Sequence, residues 1–559
     1  MTDETMSMEQ NLRRISFFSS LPDETLSVIR DRMQMQRLTK GETVVQEGAP
    51  ADSMYLIESG QVQVVSGSGE EERALADLGP GSFFGEMALL LGERRSATVR
   101  VAIDAELWVL HKADLDALLR DHPSLGLTIS RELSRRLQET IRHPVRQKQL
   151  RVVAVSGAFS SEMARALAEQ TREDVLWMPM SSTVPDLHPG TPGVIPFTTP
   201  QLLTLDDLPE VLSQVMEDYA RVCLAIDTAE TPMSRKAVDL AEAVVQVGGV
   251  AVPWAQEMAG DRYWVTPFDP ARLGSMARRI AGRQIGLALS SGNARGIAHI
   301  GVLRVLEEEG IPVDVLAGTS AGSLFGAMYA AGKSLDEMIA FARDLPKITG
   351  LRFGLWDFSL PPRSSLIQGK KTLKYIQEFL GNKTFSDLEI PFYVVAADFH
   401  SGEELVFHSG PVAEAVRASI SIIGVFKPME LNGRHFIDGG TVNPVPTSVL
   451  YDQGVETIIA SSVIPDLEER LERQDMRRQG RLPNIIGIIA GAMEIMESEI
   501  IKSRMGPVDV LIKPEVADIH TMQYEQADEF IRRGEEAARK HVHEIKALIN
   551  PRSHHSGRS

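Results

Sequence analysis

The sequence predicts a multidomain chain: an N-terminal β-roll with flanking helices, a small α/β unit in the middle, and a C-terminal α/β domain. Three observations lead there. The chain has 559 residues, and at ~150 residues per domain that allows roughly three to four domains. Its first quarter is a series of short β-like runs punctuated by glycine. Two later stretches alternate apolar strand-like runs with helical patterns, the signature of α/β layers.

In the first stretch, "ETVVQEG", "MYLIESGQVQVV" and "ATVRVA" read as strands, with Gly41, Gly48, Gly60, Gly79 and Gly81 at the turns. Many short strands are best accommodated by a closed roll. "LPDETLSVIRDRM" before it and "KADLDALLRDHPSLGLTISRELSRRLQETI" after it have helical periodicity. In the middle stretch, "RVVAVSG" and "RVCLAID" read as strands, "SSEMARALAEQT" and "MSRKAVDLAEAVVQV" as helices. The loop after "RVVAVSG" lacks G-x-x-x-x-G-K-[ST], so no nucleotide site follows there and a spacer role is expected. In the last stretch, "IGLALS", "VDVLAG", "FYVVAAD" and "TIIASSV" read as strands. The expected boundaries are 12–140 for the roll with its helices, 150–280 for the spacer, 284–460 for the C-terminal α/β domain and 461–550 for a helical extension. "DLEERLERQDMRRQGR" reads as a solvated charge run and "INPRSHHSGRS" as a disordered tail.

Lys and Arg total 58 against 76 Asp and Glu, a formal net charge of −18. That opposes binding to nucleic acid, which needs clustered cations. A single cysteine, Cys223, forbids an internal disulfide and fits a reducing compartment. The acidic opening "MTDETMSMEQNLRR" lacks the features of a signal peptide. "NIIGIIAGAMEIM" is too short to span a bilayer; it reads as core, with acyl-chain contact as the alternative. A cytoplasmic protein is expected, with peripheral membrane contact and a homodimer left open.

Three stretches carry chemistry. In "LAGTSAGSL", Ser320 stands between Gly318 and Gly322 where a strand becomes a helix. Such an elbow presents a hydroxyl at the strand's C-terminal edge near a helix N-terminus. An ordinary glycine-rich turn is the alternative. "GLALSSGNARGIAHIGVL" repeats strand, small-residue loop and helix, which suits backbone amides converging on an oxyanion. Arg295 adds charge there or pins the loop. In "FIDGGTVNPVP", Asp438 precedes Gly439 and Gly440 on a rigid turn, and a carboxylate so held can take the serine proton.

Together these stretches resemble the patatin-like phospholipase family over roughly residues 284–460. "VVAADFHSGEELVF" resembles its D-x-x-[ST]-G segment, and "AVRASISIIGVFKP" its A-S-x-S-x-P-x-x-F stretch, with Ile423 where proline is usual. The resemblance implies a Ser–Asp dyad, Ser320 as nucleophile and Asp438 as base, without histidine. It implies an oxyanion loop at Ser291, Gly292 and Asn293 supported by Arg295. Ser291 and Asn293 replace glycines of the family loop; asparagine tolerates left-handed backbone angles. His299 is expected to pack or cap; a triad using His299, His400 or His408 is the minority reading. No metal is implied, since no His/Cys ligand cluster is present.

"FFGEMALLLGERRSATVRV" resembles the phosphate-binding cassette of cyclic nucleotide-binding domains, over residues 15–135. The resemblance implies Glu86 on the ribose 2′-hydroxyl and Arg95 on the cyclic phosphate, with Gly85, Ser96 and Ala97 adding hydrogen bonds and Arg94 solvated. Cyclic AMP is expected ahead of cyclic GMP, and the helix around Leu127–Ile141 is the expected moving part. A nucleotide sensor ahead of such a hydrolase is similar to bacterial relatives of neuropathy target esterase. That implies hydrolysis of a lysophospholipid or another lipid carboxylic ester, with no cofactor needed for catalysis. The rivals are a DNA-binding regulator and a catalytically impaired scaffold that only senses nucleotide.

Overall fold

The computed structural model describes residues 32–66, 73–79, 82–85, 94–114, 117, 149–157, 159–181, 191–198, 204–349, 357–358, 365–465 and 485–549. Glu86, the helix expected at Leu127–Ile141, most of the helix pattern ahead of the roll, nearly all of the charge run and the tail lie outside the described residues. The chain divides into two compact units, Met1–Gly282 and Arg283–Ser559.

In the first unit, β1 (Gln34–Leu38), β2 (Thr43–Val45), β3 (Ser53–Ser66), β4 (Arg73–Leu78), β5 (Phe83–Phe84) and β6 (Thr98–His111) form an antiparallel sheet ordered β1-β6-β3-β4. Strand β2 pairs with β6, and β5 with β3. The β3–β6 ladder shifts register between Ile57 and Val62. Such bulges increase local twist and let a long hairpin curl around its own core, here Ile57, Val62, Val101 and Leu107.

The same unit holds a six-stranded, wholly parallel sheet: β7 (Val152–Ser156), β8 (Val175–Pro179), β9 (Val194–Pro196), β10 (Arg221–Ile226), β11 (Ala243–Val247) and β12 (Tyr263–Thr266), ordered β12-β11-β7-β10-β8-β9. Its central strands are buried on both faces, which is why they read as continuous apolar runs. One expectation fails here. "MSRKAVDLAEAVVQV" is not one helix: the helix stops at Leu240 and Ala243–Val247 is β11. The valine run prefers an extended, buried strand, and periodicity alone does not separate that from a buried helix. Cys223 lies buried in β10, where burial pushes its thiol up to about 12, so it stays protonated and inert.

The second unit is built on one mixed sheet of β13 (Ile285–Leu289), β14 (Val315–Thr319), β15 (Phe392–Asp398), β16 (Glu404–Phe407), β17 (Met429–Leu431), β18 (Arg434–Asp438), β19 (Thr457–Ser461) and β20 (Val510–Ile512). The order is β17-β18-β15-β14-β13-β19-β20, with β16 on β15. Strands β15, β14, β13, β19 and β20 run parallel, and β16, β17 and β18 join antiparallel. In open α/β sheets, sites form beyond the carboxyl ends of the parallel strands. The segment expected as a helical extension does hold the helices Ile485–Arg504 and Ala527–Ile549, but it also supplies β20. Phe530 and Ile531 of its last helix are buried in the main core with Leu287 and Phe325. Three residues of strand are too few for a periodic signal.

Candidate active site

Strand β14 ends at Thr319, the helix Ala321–Ala330 begins two residues later, and Ser320 makes the turn between them at φ 52°, ψ −119°. Few non-glycine residues adopt such angles, and those that do cluster at functional sites. Glycine at 322 is obligatory for the close packing that holds this turn. A Cβ there would lie 2.1 Å from the Leu289 carbonyl oxygen of β13, and one at Gly318 would lie 2.6 Å from the Gly322 carbonyl oxygen. The Ser320 amide donates to Ser419 Oγ at 2.8 Å, and that hydroxyl donates in turn to the Val395 carbonyl of β15 at 2.6 Å.

Ser320 Oγ donates to Asp438 Oδ2 at 2.7 Å. Asp438 ends β18, accepts the Gly440 amide on Oδ1 at 2.8 Å, and is 1% exposed. Burial pushes its carboxyl up to about 6, and the bonds from Ser320 and Gly440 oppose that rise. The pair thus holds a carboxylate whose proton affinity is tuned upward without histidine.

The loop from Ser290 to Asn293 follows β13. Gly292 has φ 156° and Asn293 φ 52°, and consecutive amides in such conformations form an anion-binding concavity. The Ser291 amide does not belong to it: it donates to the Pro444 carbonyl at 2.9 Å. This corrects the expected set: of its three amides, those of Gly292 and Asn293 have no acceptor among the described residues. The Ala294 amide donates to the Thr521 carbonyl at 3.0 Å. Arg295 is 3% exposed. Its guanidinium donates twice to the Ile519 carbonyl, at 3.1 and 3.0 Å, and once to Glu494 at 2.7 Å. Of the two roles expected for Arg295, pinning the loop is the one its contacts serve.

The histidines lie elsewhere. His299 is fully buried, with Nε2 facing the Ser290 carbonyl at 3.0 Å and Nδ1 at Ser461 Oγ, 2.8 Å. A carbonyl only accepts, so Nε2 carries the proton and Nδ1 accepts from Ser461. Burial pushes this imidazole down to about 4. The His400 amide donates to Asp398 in the β15–β16 turn, and His408 lies against Tyr393. Asp398, from the D-x-x-[ST]-G segment, accepts the amides of His400 and Ser401 and the Arg434 guanidinium, which hold its carboxyl well below the usual range. It organises a turn.

A cavity of about 150 Å³ adjoins Ser320 and Asn293, walled mainly by apolar side chains including Leu324, Phe325, Ile422 and Ile489. Ile489 comes from the stretch "NIIGIIAGAMEIM", whose Met493 is also buried. Met493 thus serves the core reading, and Ile489 lines the cavity.

Sequence reasoning did not single out Ser419, Glu494, Glu497 or Thr521 as site residues. Ser419 was visible within a family stretch. Glu494 and Glu497, two acids three apart after an apolar run, are a signal that two carboxylates share one face of the helix.

In the N-terminal sheet, Arg95 is 5% exposed. Its Nη1 donates to the Gly85 carbonyl at 3.0 Å and Nη2 to the Ser53 carbonyl at 2.7 Å, and Asp52 lies 3.8 Å away. Its Nε–H has no protein acceptor among the described residues. Ser96 is exposed and Ala97 half-buried beside it; Arg94 is exposed and donates to the Gly48 carbonyl at 2.8 Å.

Residues 287–451 match the Patatin-like phospholipase family, and residues 35–122 match the Cyclic nucleotide-binding domain family. An uncharacterized NTE family protein of Mycobacterium tuberculosis is 26% identical over 94% of this chain and 95% of its own. Another NTE family protein, of Mycobacterium bovis, is 37% identical over 35% of this chain and 53% of its own. The lysophospholipase nte1 of Aspergillus fumigatus is 23% identical over 77% of this chain, which spans 36% of that longer protein. No helix among the described residues is long and apolar enough to cross a membrane. The chain thus joins a patatin-like phospholipase domain to an N-terminal cyclic nucleotide-binding domain, has NTE family proteins and NTE1 lysophospholipases as homologues, and is a lipid ester hydrolase.

Proposed function

We propose that the chain is a lysophospholipase-like serine esterase that works through a Ser320–Asp438 dyad and is tuned by a cyclic nucleotide. The 2.7 Å bond from Ser320 Oγ to Asp438 Oδ2, made at a backbone turn of positive φ, carries this reading. Ser320 Oγ attacks the ester carbonyl carbon while its proton passes to Asp438. The oxyanion is met by the Gly292 and Asn293 amides. Collapse of the tetrahedral intermediate breaks the ester C–O bond, and the leaving alkoxide takes the proton from Asp438. Water, giving its proton to Asp438, then adds to the acyl carbon; the acyl C–Oγ bond breaks, Ser320 Oγ takes the proton back from Asp438, and the acid leaves. Labelling with a fluorophosphonate, together with fatty acid release from a lysophospholipid, tests this. Failure of both in the folded protein favours the impaired scaffold instead.

The apolar cavity beside Ser320 suits an acyl chain, since such walls gain from each methylene they take out of water. Leu324→Trp fills part of it. We expect kcat/KM for a long-chain ester to fall by about 10-fold or more while a two-carbon ester is hydrolysed nearly as before, as steric discrimination in an apolar pocket requires. Equal losses on both esters would show that the chain lies elsewhere.

At the nucleotide-binding domain, Arg95 fits a cyclic phosphate in part. Two terminal nitrogens brace Gly85 and Ser53, and among the described residues no acceptor takes its Nε–H. Cyclic AMP is our first choice of ligand. Arg95→Ala removes a charge-assisted donor, so calorimetry is expected to show cyclic AMP binding weakened by about 10- to 100-fold. Ester turnover of the wild type, and not of this variant at the same nucleotide concentration, then responds to the ligand. No binding to the wild type would leave the sheet without a sensing role.

A further inference from the structure

The loop after β13 carries Ser291 where a glycine would suffice for the turn, and a serine hydroxyl buried at 1% exposure needs a partner. Its partner is Glu497 Oε1, at 2.6 Å. Glu497 sits on the helix Ile485–Arg504, in sequence far from both catalytic motifs, and is 8% exposed. The same carboxyl rests on the turn that follows Asp438: a Cβ at Gly440 would lie 2.3 Å from Glu497 Oε1. Gly440 is the residue whose amide holds Asp438 Oδ1. One side chain therefore touches both halves of the machinery, the amide-bearing loop on one side and the base's turn on the other.

Resting on the Ser–Asp reading above, we propose that Glu497 is a positioning residue of the hydrolase, which through Ser291 fixes the Gly292 and Asn293 amides relative to Asp438. The lever is short. Ser291 precedes Gly292 directly, and its own amide is fixed by Pro444, so the hydroxyl bond ties down one end of the two amides, while Thr521 holds the other through the Gly292 carbonyl, the Asn293 side chain and the Ala294 amide. One turn away on the same helix, Glu494 holds Arg295 at 2.7 Å. The helix thus grips the loop at two points, and Glu497 alone also meets the base's turn.

The charge state of Glu497 matters to that role. The groups facing it are Ser291, Asp438, Glu494 on its own helix, and Arg295. Burial pushes its carboxyl up to about 8; Asp438 and Glu494 add to the rise, and the Ser291 bond and Arg295 oppose it. A carboxyl so raised resists ionisation beside the Asp438 carboxylate. Ionisation would set two buried negative charges against each other across Gly440, which favours displacement of the turn and protonation of Asp438.

The test measures kcat and KM against pH on a soluble nitrophenyl ester for the full chain and two variants. The wild type should lose kcat as pH rises through about 8. Glu497→Gln keeps an oxygen for the Ser291 hydroxyl and cannot ionise. Its kcat at neutral pH should stay within about threefold, and the alkaline loss should vanish. Glu497→Ala should lower kcat by about 10- to 100-fold with little change in KM, the effect of misaligned oxyanion donors. Adding Ser291→Ala should then cost little more, because both changes cut one link. A folded Glu497→Ala enzyme with wild-type kcat overturns the proposal, as does a Glu497→Gln profile superimposable on the wild type. If the alanine variant does not fold, the glutamine profile decides alone. A wild type that neither hydrolyses nor labels overturns the Ser–Asp reading, and this proposal with it; an active wild type with indifferent variants overturns Glu497 alone.

Discussion

Ser320→Ala is expected to reduce ester hydrolysis by about 10⁴-fold or more and to abolish fluorophosphonate labelling. Loss of a serine nucleophile removes the covalent path entirely, leaving only the slow catalysis that binding and oxyanion donors give to water. The fold should survive. The side chain removed makes one hydrogen bond, to Asp438, and the Ser320 amide keeps its own bond to Ser419. The positive φ is costly for any L-residue, so alanine adds no new steric conflict of that kind. Intact-mass spectrometry after exposure to the fluorophosphonate checks it: an adduct that persists, or maps to another serine, removes Ser320 from the mechanism.

Asp438→Asn should lower kcat by about 10²–10⁴-fold, the range seen when a catalytic base or its partner is neutralised. The amide is nearly isosteric. Its oxygen keeps the Gly440 amide, and its nitrogen turns toward Ser320 as a donor. The serine hydroxyl then becomes an acceptor, and no group takes its proton. The pH dependence follows from the same carboxyl. Its folded value of about 6 is raised from the ordinary 3.8. Activity should therefore rise as pH climbs through about 6 and be lost as pH falls through that value. Stability should run the other way. A raised carboxylate value means that the folded state holds the proton more tightly, so stability is highest below about 4 for this group and declines as pH rises through about 6. Hence Asp438→Asn should melt no lower than the wild type at pH 7–8, and higher if the amide fits without strain. Calorimetric melting of both proteins across that range checks the sign; a variant clearly less stable at pH 8 would show that the carboxylate is not a burden on the fold.

What could be read from the residues alone was what local chemistry dictates. Ser320 between its glycines, Asp438 before Gly439 and Gly440, and the strands β13, β14, β15 and β19 announce themselves within a few residues. What stayed hidden depends on distance along the chain. Ser291 looked like an oxyanion donor because nothing near it in sequence shows that Pro444 takes its amide. Glu497 and Thr521 reach the loop only after the sheet has brought the last hundred residues back against it. The valines of β11 were absorbed into a helix because a buried strand lacks the alternation that marks a strand with one face in water. The acid of the nucleotide motif, Glu86, is outside the described residues, so only Arg95 of that pair has a place in the structure.

Strand β13, which launches the amide-bearing loop, lies between β14 and β19. Ile285 is paired with Thr457, and β19 is itself flanked by β20 near residue 510. During synthesis the serine elbow therefore leaves the ribosome long before the neighbours that lock the loop beside it. Parallel pairings between distant segments form slowly, since the chain must close a large loop before any contact rewards it. Ser320, the proposed nucleophile, is thus translated before the segments that lock the loop beside it. A chain halted before β19, or cut at the edge of the family match near residue 451, would carry Ser320, Asp438 and the strands β13, β14, β15 and β18, and still lack β19, β20 and the helix whose Glu497 holds the loop.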